Sequence, residues 1–274
     1  MTKIKKEAFS YIKGMFIQHN MVKRTVFAFL SIIIMGFGIA LFSVSGFGVD
    51  PFTSMNMNVS SAIGIGYGTY QMAVNLAILI FVIAVAHRGL VGIGTVANMI
   101  GVGYTCEFFM GIMNRGFAGH LSSLPFRLAL LVAGIVVLCF ASSLFFTANV
   151  GVGPYDALGF MFSNAAKVPF KWARVITDVL VVLIGAAANG GITAIAGGDF
   201  SAIKNIGIGT VITAFCMGPL VNFFNSKVSS KIMNVDYEHI SRDVAFFMIK
   251  GAMVRGKEIF AMSNFFPGSP AFRI

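Results

Sequence analysis

Residues 46–53 read Gly-Phe-Gly-Val-Asp-Pro-Phe-Thr, and residues 151–158 read Gly-Val-Gly-Pro-Tyr-Asp-Ala-Leu. Each stretch puts a glycine pair ahead of a proline, where a long apolar run ends. Glycine permits a sharp bend, and proline fits the first turn of a helix, where its missing N–H is not needed. The first stretch adds Asp50, a residue type that caps helix N-termini by accepting a backbone N–H. Both stretches therefore predict a bend followed by a new helix, with Gly46, Gly48, Asp50, Pro51, Gly151, Gly153 and Pro154 as the turn residues. With the glycines aligned, the second stretch lacks counterparts of Val49 and Asp50.

The likeness continues along the chain. Gly92-Ile93-Gly94-Thr95-Val96 recurs as Gly207-Ile208-Gly209-Thr210-Val211, and both run on to paired phenylalanines, Phe108-Phe109 and Phe223-Phe224. Two matches in the same order indicate a duplicated unit. The Gly-x-Gly elements follow no strand and lack the spacing of a dinucleotide fingerprint, so close packing through small residues is the reading for Gly92, Gly94, Gly207 and Gly209.

Composition sets the medium. Of the 274 residues, 57% are hydrophobic and 11% charged, and the mean hydropathy is +0.85; soluble domains carry roughly 25% charged residues. That supply cannot coat a water-facing surface, which excludes a soluble enzyme, a disordered chain and a secreted disulfide scaffold. The net charge of +10 does not point to nucleic acid, because the basic residues sit between apolar runs and not along one face. Cys106, Cys139 and Cys216 lie inside apolar runs, without zinc or disulfide spacing, and read as small buried hydrophobes. Residues 1–24 are too charged and interrupted for a cleaved signal peptide.

A hydrocarbon core about 30 Å thick needs about 20 apolar residues of helix. Six such runs occur, at about 25–46, 68–86, 92–113, 124–147, 170–188 and 205–225. Of the 20 Lys and Arg, 17 fall on the side of the termini: in the N-terminal arm, at Arg88, at Lys167, Lys171 and Arg174, and in the tail. Arg115, Arg127 and Lys204 fall on the other side. The excess of positive charge in cytoplasmic segments puts both termini in the cytoplasm. Each copy of the repeat holds three spans, an odd number, so the second copy is inverted, as in many secondary transporters. The predicted fold is all-α: six transmembrane helices in two inverted three-helix repeats, each with a short half-helix. Its parts are a basic arm (1–24), the first repeat (25–123), the second repeat (124–226) and a basic tail (227–274).

The half-helices follow the two bends. Phe52, Met55, Val59 and Ala62 share one helical face, and Tyr155, Leu158, Phe162 and Ala165 share another. At about a dozen residues each is too short to span, so each is re-entrant or lies in the interface. If re-entrant, its N-terminus offers N–H groups and a positive dipole end to an anion. Ionisable and amide side chains at membrane depth are costly and mark function. Arg174 and Asp178 stand four residues apart and can pair; in the repeat alignment they match Gln71 and Asn75. Glu107 matches Asn222, and Asp156 matches Thr53. The candidate substrate-binding set is therefore Gln71, Asn75, Glu107, Asp156, Arg174, Asp178 and Asn222, a polar site for a small charged or zwitterionic solute or a proton relay. The competing reading is a structural Arg174–Asp178 pair near the interface, because Arg174 lies close enough to its helix end to snorkel.

No His-Glu-x-x-His, Gly-x-Ser-x-Gly or paired-cysteine motif is present, and the four histidines fall in loops, the tail or span ends, so neither catalysis nor a metal or other cofactor is expected. In the tail, Ile240, Val244, Phe247, Met248 and Met253 have the spacing of an amphipathic helix that lies on lipid, with a disordered or partner-docking tail as the alternative.

Residues 46–53, 88–95 and 151–158 resemble the YczE/YyaS/YitT family of bacterial integral membrane proteins, over about residues 25–226. The resemblance implies a multi-pass protein of the bacterial plasma membrane and supplies no substrate. The expected activity is small-solute transport. The alternative is a non-transporting membrane module, either a regulatory partner or the substrate-binding subunit of a larger complex. The expected partners are the lipid bilayer and an unknown small solute, with a homo-oligomer or transport-complex partner as the protein contact.

Overall fold

A computed structural model describes residues 21–85, 91–168, 170–188 and 205–233. The arm before Met21, His87, Arg88, Lys204, and the tail after Met233 with its proposed amphipathic helix lie outside the described residues.

The described residues are helical, without strands: α1 (Met21–Val44), α2 (Pro51–Ile63), α3 (Tyr67–Val85), α4 (Ile93–Gly116), α5 (Leu124–Ala148), α6 (Pro154–Ala166), α7 (Phe170–Ala188) and α8 (Ile208–Phe224). A π-helical turn, Asn225–Ser229, carries α8 on to Met233. Among the described residues, five helices are long and apolar enough to cross a membrane: α1, α3, α4, α5 and the extended α8. The fifth expected run, 170–188, forms α7, but Lys171, Arg174 and Asp178 make it the most charged of the long helices.

The short helices form where the bends predict. Asp50 caps α2, its Oδ1 accepting the Thr53 N–H at 3.1 Å, with Pro51 in the first turn. In α6, Pro154 again opens the helix, after Gly153. Their C-caps, Gly64 and Lys167, are both left-handed.

The helices pack in an exchangeable pattern. α1 packs on α4 and α5; α2 on α3 and α7; α6 on α7 and α3; α8 on α5 and α7; and α3 on α4. Exchanging α1, α2, α3 and α4 with α5, α6, α7 and α8 maps the α1–α5 pair onto itself and each of the other pairs named onto another. The hydrogen bonds repeat it. The Gly94 N–H donates to Val150 O at 2.9 Å, and the Gly209 N–H to Phe47 O at 2.9 Å; Gly92 N–H meets Thr95 Oγ1 at 3.1 Å, and Gly207 N–H meets Thr210 Oγ1 at 3.2 Å. Each glycine pair thus lets a bend approach the opening turn of the other half's last helix.

These bonds correct the gapped alignment. Phe47 is equivalent to Val150, Gly48 to Gly151, Asp50 to Gly153 and Pro51 to Pro154, with no residues missing. Gly48 (φ +92°) and Gly151 (φ +132°) hold the same left-handed bend, which explains why they coincide.

α1 and α5 form the centre, with Phe42, Ala40, Phe145 and Ala141 fully enclosed. A Cβ on Gly38 would stand 2.8 Å from the Leu138 backbone N, and one on Gly134 would stand 2.7 Å from that of Phe42, so this seam requires residues without side chains. Cys106 and Cys139 are buried as expected. Cys216 is exposed on α8, beside the outward-facing Val211, Ile212 and Phe215, where an apolar residue signals contact with lipid and not with the core.

Candidate functional site

The two half-helices meet at their N-terminal ends. Phe52 and Tyr155, equivalent second residues of α2 and α6, stack with ring centroids 4.3 Å apart and planes 10° apart. Met55 joins them, with Val59, Val74, Ile78, Leu158 and Val181 packed around. This is the apolar face the spacing predicted for α2, although Ala62 ends outside it, exposed.

The polar residues of α2 bear on the two readings of the half-helix. An interfacial helix would turn its polar residues to water. Here Thr53, Ser54, Asn56, Asn58 and Ser60 are all buried, so α2 is enclosed by protein on every side over its first turns. Such backbone is tolerated at membrane depth because neighbouring helices surround it.

Beside the stacked rings lies a charged group from the second half. Arg174 donates through Nη1 to Asp156 Oδ1, and its Nε stands 3.3 Å from Asp178 Oδ1. The Tyr155 hydroxyl donates to the same Asp178 oxygen at 2.7 Å, and the guanidinium carbon lies 4.4 Å from the Tyr155 ring centre. Asp178 is 6% exposed at its side chain and Arg174 23%. The sequence reading thus brought together three of its candidates, Asp156, Arg174 and Asp178, and missed Tyr155, which it had placed only on an apolar face.

The first half carries the uncharged twin of this quartet. Phe52, Thr53, Gln71 and Asn75 stand where the second half has Tyr155, Asp156, Arg174 and Asp178, and Thr53, Gln71 and Asn75 are all buried. Gln71 Oε1, Ser54 Oγ and both amide atoms of Asn56 are buried and have no hydrogen-bond partner among the described residues. Buried polar atoms are almost always paired, so this concentration in α2 and α3 sets the region apart.

Asp50 belongs to the same region. It caps the helix whose second residue, Phe52, stacks on Tyr155. Glu107 lies elsewhere: it is exposed, and its Oε2 accepts the Gly68 N–H at 3.0 Å, capping α3. Asn222 is half-buried near the end of α8, where its carbonyl accepts the Asn225 N–H. Glu107 thus bonds to α3 and not to the Arg174 group. Among the described residues, no three His, Cys, Asp or Glu side chains converge as metal ligands.

Apolar helices of spanning length packed around two short helices define an all-helical membrane protein over the described residues. The chain belongs to a family of unknown function, DUF6198, whose model matches residues 22–226. It is 24% identical over 208 residues to the uncharacterized membrane protein YczE of Bacillus subtilis, covering 75% of this chain and 87% of YczE. It is 24% identical over 205 residues to an uncharacterized protein of Haemophilus influenzae, covering 75% and 84%. It is 22% identical over 195 residues to the uncharacterized protein YyaS of Bacillus subtilis, covering 71% and 89%. No solved structure matches the chain. The YczE and YyaS parts of the sequence resemblance are thus found among its relatives.

Proposed function

We propose that the chain is a plasma-membrane carrier of a small polar solute, built from six crossing helices in two inverted repeats with both termini cytoplasmic, and that the junction of α2 and α6 is its solute site. The YitT side of the resemblance belongs to the same proposal. The observation that carries it is the set of buried, unpartnered polar side chains on α2 and α3, beside a charged group on α6 and α7. Burying such a group without a partner costs about 1–3 kcal/mol each, a burden that packing does not require and a hydrogen-bonding solute relieves. The exchangeable helix pattern supports the inverted repeat, and α7 completes the sixth crossing if its charges face the protein, as Asp178 does.

Inverted-repeat carriers rock two halves about a site near the bilayer midplane, and the stacked Phe52 and Tyr155 mark such a meeting point here. The test is a thermal-stability screen of the purified chain with amino acids, amines, sugars, anions and cations, followed by uptake of any stabilising compound into proteoliposomes. A solute at 100 times its Kd stabilises by about 2.7 kcal/mol. Saturable uptake of a stabilising solute is the expected result. A bound solute without uptake, together with a co-purifying ATPase, would instead identify a subunit of a larger complex.

A further inference from the structure

The two halves differ where the third and fourth helices of each repeat meet. In the first half, α3 and α4 touch through glycine: a Cβ on Gly103 would stand 3.0 Å from Gly68 Cα and 3.1 Å from Gln71 Oε1. Glu107 accepts the Gly68 N–H at 3.0 Å, and the Thr69 and Tyr104 hydroxyls lie 3.3 Å apart, so this seam is closed over a turn of each helix. The second half keeps the glycine of its fourth helix, Gly218, but has Lys171 in place of Gly68 and Pro219 in place of Tyr104. α7 and α8 touch, yet a Cβ on Gly218 would meet nothing within 4 Å among the described residues.

The course of α8 accounts for that opening. Pro219 stands inside the helix, where it cannot donate to Phe215 O and its ring crowds that carbonyl, a common origin of a kink. Six residues on, the π-helical turn begins, with the Ser230 N–H reaching back to Asn225 O. Both ends of this helix are held. The Gly209 N–H donates to Phe47 O at 2.9 Å, and Ser229 and Asn225 bond to Ser143 and Thr147 of α5. Between those ends no residue from 214 to 220 is buried, although α4 buries the corresponding Met99, Val102 and Gly103.

The opening adjoins the charged group. Gln71, the twin of Arg174, lies against Gly103, so the α7 position across from Gly218 is that of Arg174. Exposure follows the same division: the Arg174 and Asp156 side chains are 23% and 27% exposed, whereas their twins Gln71 and Thr53 are buried. Ionised side chains at membrane depth face the protein interior or a water-filled cavity, and here the interior does not cover them fully. We propose that the gap at Gly218, between α7 and α8, is a water-filled entrance through which a polar solute reaches the Arg174 group. This rests on the reading of the junction as the solute site and names the route to it.

The experiment places a single cysteine, Gly218→Cys, in the full chain with its three native cysteines replaced by alanine, in lipid nanodiscs that leave both faces open to reagent. The probes are a cationic and an anionic methanethiosulfonate of similar size, and N-ethylmaleimide. A chain that keeps only Cys216, exposed on the lipid-facing flank of α8, is the reference. Gly218→Cys should react with the charged reagents at least tenfold faster than Cys216. Arg174→Gln should raise the ratio of cationic to anionic rates several-fold and Asp156→Asn should lower it, because charges within about 8–10 Å of the thiol act on the reagent. Reaction with N-ethylmaleimide alone, or at the rate of Cys216, would mark a lipid-facing surface and overturn the proposal. So would a ratio that neither variant changes. Gly218→Leu and Gly103→Leu test the gap without the charge variants: the first should hold Tm and the second unfold the chain, and an equal loss would also overturn the proposal. Fast reaction at Gly218→Cys without uptake of any solute leaves the entrance standing and removes the carrier reading; uptake by a chain whose Gly218→Cys is inert does the reverse.

Discussion

Arg174→Gln puts the first half's residue, Gln71, into the second half's position, and its cost follows from the geometry. Arg174 bonds Asp156 and Asp178, whose side chains are 27% and 6% exposed. Removing one partner of a buried ionic group costs about 3–5 kcal/mol, because the remaining charges are left uncompensated. The partial exposure of Asp156 and its place in the first turn of α6, where the helix end favours negative charge, put the value near the lower figure. At roughly 2–4 °C per kcal/mol for a chain of this size, Tm falls by about 6–12 °C. Replacing the whole group by the first half's residues, as Asp156→Thr, Arg174→Gln and Asp178→Asn together, should recover most of that loss, since removing all members of an ionic group is often neutral. The assay is thermal unfolding of each variant in detergent. An unchanged single variant, or a triple variant less stable than the single one, would refute the idea that these charges are mutually required.

Three other outcomes follow from packing. Gly134→Leu should unfold the chain or block its insertion, because even its Cβ would meet the Phe42 backbone at 2.7 Å, whereas Gly111→Ala, with nothing within 4 Å, should hold or slightly raise Tm; expression and Tm of the two variants check this. Arg127 donates from Nε to Ser45 O at 2.7 Å and from Nη2 to Gly46 O at 3.2 Å, so Arg127→Ala should cost about 1–3 kcal/mol and speed proteolysis at residues 45–50, while Arg127→Lys recovers only part. Ser143 and Ser229 share a buried hydrogen bond of 2.5 Å between α5 and the π-helical turn; Ser229→Ala alone should destabilise by about 1–2 kcal/mol, and the double alanine variant should lose less than the sum of the two singles, as a double-mutant cycle measures.

Much of the helical plan was legible in the sequence because apolar run length and the Asp50-Pro51 and Pro154 signals are local. The runs and the helices agree to within a few residues, apart from the extension of α8 through its π turn, which no local signal announces. What the sequence hid was tertiary. The buried polar face of α2 resembles a solvated face, since Thr53, Ser54, Asn56, Asn58 and Ser60 alternate with apolar residues in either case. Tyr155 looked like a packing residue because its hydroxyl's partner, Asp178, lies 23 residues away. Glu107 drew attention as a lone acid in an apolar run, yet its partner is a backbone N–H of another helix. The glycine alignment slipped by two residues because Gly46, Gly48, Gly151 and Gly153 offer two registers, and only the bonds to Phe47 O and Val150 O decide between them.

The inversion of the two halves is the claim on which the carrier account depends, and the paired turns after the half-helices test it. Ile65 follows the left-handed cap of α2 and Lys167 is the left-handed cap of α6, both exposed. Single cysteines at these positions, in a chain whose three native cysteines are replaced by alanine, would be labelled in intact cells with a membrane-impermeant maleimide. Inverted halves predict labelling of Ile65→Cys from outside, with Lys167→Cys labelled only after the membrane is opened. Labelling of both positions from the same side would contradict the inverted arrangement, and with it the carrier mechanism built on it.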